Sequence, residues 1–190
     1  SYDILTEQGW FSRIAMPSTT PSRVVGSPEL PILTELMEIP LCDNVSYEII
    51  SAHYDDFSGE ELGIHHPLYP AQPDAFKSQD NPPFTRNASV YQTDAFTTHD
   101  VIRVEKTGIL RNMNLATVCF SPIQYNPATD TYRLFSDVEV VFSFENADIP
   151  ATYEMKNLHG NSIFNGLQSK VMNPIQPTRE SVFEQPIKYL

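Results

Sequence analysis

The stretch TYRLFSDVEVVFSFE, residues 131–145, decides the fold class. Four apolar side chains occupy alternate positions in its second half: Val138, Val140, Phe142 and Phe144. A period of two is typical of a β-strand with one buried face. LATVCFSPIQY at 115–125 is a second β-rich run, and NPATDT at 126–131 supplies turn residues between the two. The sequence therefore predicts a β-hairpin over residues 115–145.

Further strands are indicated outward from this hairpin by alternation or strand-like composition. They are GWFSRIAMP (9–17), LPILTELMEIP (30–40), VSYEIISAHY (45–54) and HDVIRVEKTGIL (99–110). Short turns separate several of them, and the 16 prolines are concentrated between strands. Strands that follow one another in this way indicate packed antiparallel sheets and not βαβ units. We predict an all-β, jelly-roll-like antiparallel β-sandwich.

Two parts of the chain depart from this pattern. Residues 63–86 contain five prolines and form a connection too long for a plain loop, which indicates a functional or disordered segment. NSIFNGLQSKVMN at 161–173 has apolar residues at helical spacing, with Ser162 as a cap and Pro174 just after its end. We predict a short helix there, followed by an extended tail over 176–190.

The charge balance excludes some classes of partner. The chain carries 24 acidic and 12 basic side chains, for a formal net charge of -12. Binding to nucleic acid or to an anionic membrane surface requires clustered Lys and Arg, so neither is expected. An acidic surface suits a basic partner, or it only keeps the chain in solution. We predict no membrane insertion, because no apolar run approaches the ~20 residues that a spanning helix needs.

Catalytic and metal-binding patterns are weak in this chain. His65 and His66 are adjacent on the proline-rich loop, and no Cys, Asp or Glu at ligand spacing completes a metal site, so two solvated histidines are expected. Cys119 lies among apolar strand residues, where a thiolate is poorly stabilised. His159-Gly160 is similar to the His-Gly of caspase-like peptidases, but no apolar strand precedes it, so a turn entering a helix is expected. We predict no catalysis, no metal and no cofactor.

Three smaller features leave alternatives open. Cys42 and Cys119 are the only cysteines, and they form either one disulfide or two buried thiols. Neither lies in a turn, which favours thiols. Asn87-Ala88-Ser89 fits the pattern of a glycosylation site, although a three-residue match is weak. The chain starts at Ser1 without a visible signal peptide, so we expect a processed or trimmed piece.

Two segments resemble the N-terminal propeptide of gingipain-like cysteine peptidases: GSPELPIL (26–33) and SPIQYNPATDTYRLFSDVEVVFSF (121–144). In that family a Gly-Ser/Thr-Pro-x-x-Pro segment precedes a strand, and a Pro-x-Gln-Tyr-Asn-Pro turn leads into a basic and aromatic strand. The resemblance covers roughly residues 25–190 and is closest to the lysine-specific members. It implies a β-sandwich that assists folding of the peptidase catalytic domain and keeps it latent until secretion. The implied localisation is secreted or cell-surface, reached through the periplasm.

The resemblance also implies an inhibitory loop. The family carries a basic residue on a loop before an Asn-Pro or Asp-Pro, and that residue enters the primary specificity pocket of the peptidase. The matching loop here consists of Lys77, Ser78, Gln79, Asp80, Asn81 and Pro82. A lysine ammonium can pair with an acid at the floor of a pocket while its methylene stem lines the walls. Prolines next to the loop lower the entropic cost of presenting it. The alternative is that Lys77 is an ordinary solvated lysine.

A second implied site lies near the C-terminus. The family's propeptide ends at a basic residue after a short helix, and Arg179 in MNPIQPTR (172–179) occupies that place. We expect activation cleavage after Arg179, with Lys170 and Lys188 as competitors if the peptidase is lysine-specific. The expected organisation is a sandwich prodomain over 1–160, a helix and cleavage region over 161–179, and a linker with the start of a catalytic domain over 180–190.

A binding module of another class is the main alternative function. β-sandwiches host many carbohydrate-binding and adhesion modules, and sugar binding requires exposed aromatic side chains on one face. Four residues are candidates for such a face: Trp10, Tyr54, Tyr69 and Tyr91. The competing interpretation is that these rings are partly buried in the core.

Overall fold

The computed structural model describes residues 1–74, 82–97, 100–158 and 170–176. In chain order, the strands in these ranges are β1 (Tyr2–Thr6), β2 (Gly9–Arg13), β3 (Thr19–Pro21), β4 (Pro31–Ile39), β5 (Asn44–Ser58), β6 (Ile102–Leu110), β7 (Met113–Phe120), β8 (Ile123–Asn126) and β9 (Thr131–Glu145). The helices are α1 (Ala88–Gln92) and α2 (Ile149–Leu158). Within the described ranges, neither helix has the length and apolar character needed to cross a bilayer.

The strands form three sheets, with strand orders β1-β2, β3-β4-β7-β6 and β5-β9-β8. The pairs β1–β2, β3–β4 and β8–β9 are antiparallel. The predicted all-β class is therefore confirmed, and the predicted strands at 9–17, 30–40, 45–54 and 99–110 correspond to β2, β4, β5 and β6. Four elements were not predicted from the sequence: β1, the three-residue β3 and both helices.

The hairpin at the centre of the sequence analysis is formed by β8 and β9. Ile123 lies opposite Leu134, and Asn126 lies opposite Thr131. The turn is closed by the Asn126 side chain, whose Oδ1 accepts a hydrogen bond from the N–H of Ala128 at 3.1 Å. The alternating apolar residues of β9 are half-buried and the residues between them are exposed, which confirms the predicted period of two.

The first part of the predicted hairpin is wrong. Residues 115–120 belong to β7, which lies in a different sheet from β9. The change occurs at Ser121 and Pro122, because proline has no N–H to continue a strand ladder. The Ser121 N–H still donates to Val101 O at 2.8 Å, whereas Pro122 O accepts from Phe135 N of β9 at 2.9 Å. One apolar run is thus divided between two sheets.

The chain divides into two compact units. Unit 1 comprises Ser1–Thr34, Ile49–Arg103 and Cys119–Val140, and unit 2 comprises Glu35–Glu48, Val104–Val118 and Val141–Leu190. The core of unit 1 is built from Leu30, Ile64, Leu68, Ile123, Tyr125 and Tyr132. The rings of the two tyrosines lie 4.5 Å apart. Burial raises the pKa of Tyr125 to about 12, so this phenol stays neutral inside the core at ordinary pH.

Unit 2 contains the face-to-face packing of two sheets that defines a sandwich. Met37, Ile39, Ala116 and Val118 come from β4 and β7, and they pack with Val45 of β5 and with Phe142 and Phe144 of β9. Each large apolar side chain buried in this way stabilises the fold by about 1.5–3 kcal/mol. The sandwich prediction is therefore confirmed in this unit.

Local interactions explain why helix α2 of unit 2 begins at Ile149. The Asp148 carboxylate accepts from Ala151 N at 2.9 Å, which is the bond of an N-cap residue. Pro150 lies in the first turn, where its missing N–H costs no hydrogen bond. Lys156 in the last turn is 1% exposed, and its Nζ donates to Glu38 Oε1 at 2.7 Å. The helix therefore contributes a buried ion pair to unit 2.

The predicted helix over 161–173 is wrong at its C-terminal end. Residues 170–173 form a turn and a strand-like bridge in which Met172 pairs in parallel with Met37 of β4. Hydrogen bonds to Leu36 and Glu38, in the part of β4 beyond its pairing with β3, replace the helical ones there. The rest of the predicted helix, the proposed boundaries near 160 and 179, and the tail beyond residue 176 lie outside the described residues.

Candidate functional site

The N-terminal stem of the proline-rich loop, residues 63–74, is packed onto unit 1. Ser12 of β2 donates to Pro67 O at 2.9 Å and accepts from Tyr69 N at 2.8 Å through its own carbonyl. Leu68, between these two residues, is fully buried. Ala71 N then donates to Ser27 O at 2.9 Å. The stem is held along its length by backbone hydrogen bonds.

An aromatic cluster anchors the C-terminal stem of the loop, residues 82–87. The Phe84 ring lies 5.4 Å from the Phe11 ring and 5.7 Å from the Tyr69 ring. Three residues later, Asn87 N donates to Gly26 O at 2.9 Å. The Arg86 guanidinium lies 4.3 Å from the Tyr91 ring centroid, a cation–π geometry. The chain therefore returns from the loop to a defined place on unit 1.

Gln72 joins the two stems directly. Its Nε2 donates to Thr85 O at 2.9 Å, and its Oε1 accepts from Thr85 N at 2.8 Å. The same Nε2 also donates to Pro70 O at 2.8 Å. A primary amide that bonds both backbone groups of one residue imitates a strand pair. We call Gln72, Thr85 and Phe84 the loop base, because they close the loop that runs between residues 73 and 83.

An ion pair supports the stem beside Tyr69. Arg13 Nε lies 2.5 Å from Glu29 Oε2, and the guanidinium lies 4.3 Å from the centroid of the Tyr69 ring. Burial raises the pKa of the Glu29 carboxyl, and the guanidinium of Arg13 offsets only part of this effect. Glu29 N also donates to Tyr69 O at 2.8 Å. Tyr69 thus packs between this ion pair and Phe84 of the loop base.

Of the six predicted inhibitory residues, the structure describes one. Pro82 is described and half-buried, two residues before Phe84. The remaining residues of the predicted loop, Lys77, Ser78, Gln79, Asp80 and Asn81, lie outside the described residues, and so does the predicted cleavage site at Arg179. Gln72 and Thr85 were not predicted as site residues, because they are 13 residues apart and their pairing has no local sequence signal.

The cysteines and histidines of the described residues form no catalytic pair. Cys42 is buried and Cys119 half-buried, and both are free thiols. Burial raises the pKa of Cys42, and Cys119 Sγ lies 3.8 Å from the Thr34 hydroxyl and from the Arg103 guanidinium. No group of three His, Cys, Asp or Glu that could hold a metal occurs in this part of the chain. His159 and Gly160 lie outside it.

The aromatic residues of the alternative function are mostly engaged inside the protein. Tyr91 is 8% exposed, and its hydroxyl donates to Leu68 O at 2.6 Å. Trp10 stacks on the His66 ring at 6.0 Å, and Tyr54 packs on Phe135 and on the Arg133 guanidinium. Since Tyr69 belongs to the loop-base scaffold, only Trp10 and Tyr54 remain half-exposed. This packing does not favour a sugar-binding platform.

The described residues thus define an all-β fold in which Gln72, Phe84 and Thr85 hold together the two stems of the proline-rich connection. A family model described as Propeptide_C25 matches residues 1–172. The chain belongs to this family of propeptides, which confirms both the resemblance and the absence of a catalytic role for the chain. The match begins at the first residue, upstream of the segment from which the resemblance was drawn.

The chain is similar in sequence to two kinds of gingipain. The chain is 26% identical over 188 residues to Lys-gingipain of Porphyromonas gingivalis, covering 97% of this chain and 11% of that protein. It is 27% identical over 146 residues to gingipain R2 of the same organism, covering 75% of this chain and 18% of that protein. The chain therefore spans only a small part of the length of these relatives.

Solved structures share the fold. A chain from a study of the zymogenic latency of gingipain K from Porphyromonas gingivalis superposes with a TM-score of 0.69 at 28% identity, covering 77% of this chain and 81% of that one. A complex of Porphyromonas gingivalis RgpB pro- and mature domains matches with a TM-score of 0.68 at 20% identity, over 91% and 85% of the two chains. At that identity the second likeness concerns the fold alone.

Proposed function

We propose that this chain is an inhibitory prodomain and intramolecular chaperone that keeps a gingipain-like cysteine endopeptidase latent. Its partner is the catalytic domain of that peptidase. The precursor is exported through the periplasm to a secreted or cell-surface location. Membership of a propeptide family supports this proposal, and so does the likeness to the gingipain K structure concerned with latency.

Inhibition is proposed to occur through Lys77, with residues 78–82 shaping the loop around it. The observation that carries this mechanism is the loop base, in which Gln72 bonds both backbone groups of Thr85. A loop with closed ends loses less conformational entropy when a partner binds it. The Lys77 ammonium would pair with an acid in the specificity pocket while its stem lines the pocket walls.

The direct test is an inhibition assay. The isolated 190-residue chain is expected to inhibit a lysine-specific gingipain-like peptidase at submicromolar concentration and an arginine-specific one at least tenfold less tightly. The reason is that a pocket shaped for a planar guanidinium fits an ammonium poorly. Absence of inhibition of both peptidases by a folded chain would refute the prodomain proposal. Equal inhibition of both would refute the pocket mechanism alone.

Release is proposed to follow cleavage after Arg179. This residue would separate the helix and cleavage region at 161–179 from the linker at 180–190, in keeping with the expected organisation of the chain. Mass spectrometry of the processed precursor measures the position directly. An Arg179→Gln precursor is expected to accumulate uncut at this site.

The loop base yields a prediction of its own. Gln72→Ala removes the two hydrogen bonds that join the stems, together with a third to Pro70 O, and leaves Lys77 unchanged in the sequence. We expect the inhibition constant to rise about tenfold, since preorganisation of one loop contributes on the order of 1–2 kcal/mol. Gln92→Ala is the matched control, because Gln92 is exposed at the end of α1. Equal inhibition constants for the two variants would show that the loop base does not organise the inhibitory segment.

A further inference from the structure

Residues 171–176, which we call the C-terminal strap, are docked on unit 2. Met172 N donates to Leu36 O at 2.7 Å, and Glu38 N donates to Met172 O at 2.9 Å. These bonds place the strap parallel to β4, with Met172 beside Met37. Val171 is 7% exposed and packs into a cluster completed by Met113, Leu115 and Leu36.

Glu38 connects the strap to the rest of unit 2. Its Oε1 accepts from Lys156 Nζ at 2.7 Å, and its Oε2 accepts from Ile175 N at 2.9 Å. The side chains of Lys156 and Glu38 are 0% and 1% exposed. One buried carboxylate therefore links α2, β4 and the strap, and hydrogen bonds to a charged acceptor are the stronger kind.

Lys170 lies at the point where the strap begins. Its side chain is exposed, yet the next two residues are the buried Val171 and the hydrogen-bonded Met172. A peptidase also binds residues that follow the scissile bond, so Val171 and Met172 must first leave their places on unit 2. Cleavage then follows the population of the locally opened form. The strap therefore has to detach before the Lys170–Val171 bond can be cut.

We propose that Glu38 is the latch of a concealed processing site at Lys170–Val171. With the latch closed, the Lys170–Val171 bond is protected, and processing of the C-terminal region is confined to residues beyond Ile175. With the latch open, a lysine-specific peptidase cuts at Lys170 and removes the strap. Unit 2 then loses the side chain of Val171 and the partner of Glu38 Oε2.

The latch separates two outcomes of proteolysis. A cut beyond Ile175 releases a prodomain with an intact unit 2, which remains able to bind. A cut at Lys170 removes part of the core and dismantles that unit. The latch involves residues 36–38, 156 and 170–176 and is independent of the role of Lys77.

Limited proteolysis tests the latch. The sequence has five lysines, at 77, 106, 156, 170 and 188, so a lysyl endopeptidase gives few fragments, and mass spectrometry identifies the one that ends at Lys170. Ile175→Pro in the 190-residue chain removes the N–H that bonds Glu38 without touching the buried ion pair. Ile175→Ala is the matched control, because it shortens the side chain and keeps that N–H. Glu38→Gln is the second variant.

We expect cleavage at Lys170 to be at least tenfold faster in Ile175→Pro than in the wild type or Ile175→Ala, with cleavage at Lys77 unchanged. If Glu38→Gln unfolds the chain, all sites accelerate together, and Ile175→Pro then carries the test. Equal rates at Lys170 for Ile175→Pro and the wild type, with circular dichroism showing the same fold, would overturn the latch. So would rapid wild-type cleavage at Lys170 that matches the rate in the urea-unfolded chain.

Discussion

Replacing Lys77 with alanine is expected to weaken inhibition of a lysine-specific gingipain-like peptidase at least 100-fold. In the proposed mechanism, the change would leave the acid of the specificity pocket without its partner, and such truncations cost about 2–5 kcal/mol. Lys77→Arg is expected to retain part of the inhibition, because it keeps the charge but changes its shape. The measurement is the inhibition constant of each purified variant.

The matched control for this prediction is Lys170→Ala, which removes a different lysine, one that the structure shows to be exposed. It lowers the number of positive charges by the same amount and should leave the inhibition constant unchanged. A Lys77→Ala variant that inhibits as well as the wild type would remove Lys77 from the mechanism. The prodomain function would then depend on other contacts.

Breaking the buried ion pair of unit 2 is expected to have the largest effect on stability. Glu38→Ala leaves the ammonium of Lys156 buried without a counter-ion, and removal of one partner of such a pair costs about 3–5 kcal/mol. The pair joins side chains that are at most 1% exposed, at 2.7 Å. Urea unfolding should show this loss in the transition that reports on unit 2.

Two further variants decide whether the unpaired charge is the cause. Replacing Glu38 and Lys156 together by methionine removes both charges and is expected to recover most of the lost free energy of unfolding. Asp56→Ala breaks the pair with Arg133 at 2.8 Å, whose side chains are 40% and 24% exposed, and should cost at most about 1 kcal/mol. A Glu38→Ala variant as stable as Asp56→Ala would contradict the prediction.

The candidate site could be predicted from the sequence only in part. Lys77 was found through its place in a family pattern, and that assignment stays a prediction. The loop base was not found, because the partners of Gln72 and Phe84 are brought together by the fold. Asn87 was interpreted as part of a glycosylation pattern, which stays a prediction, and its role as the N-cap of α1, with Oδ1 accepting from Ser89 N at 3.2 Å, was not found. The same residue type serves both purposes, and three residues do not distinguish them.

The helices show where local signals were available and where they misled. Asp148 followed by Pro150 is a recognisable start of a helix, and α2 begins there. The sequence analysis placed its helix later, at 161–173, on the spacing of apolar residues. Val171 in that pattern does face a core, but it does so from a docked strap, because the neighbouring Met172 finds backbone partners in Leu36 and Glu38 of β4.

Alternation along the chain was sufficient to determine the strand character of β9 and the face that each of its residues presents, since a period of two is a property of the extended backbone itself. It was also sufficient for the all-β class. The tertiary structure alone decided which strands pair, where the run at 115–125 changes sheets, and that Lys156 meets Glu38 across 118 positions. The physical reason is that periodicity records whether a side chain is buried, whereas the identity of its partner depends on how distant segments fill the same space.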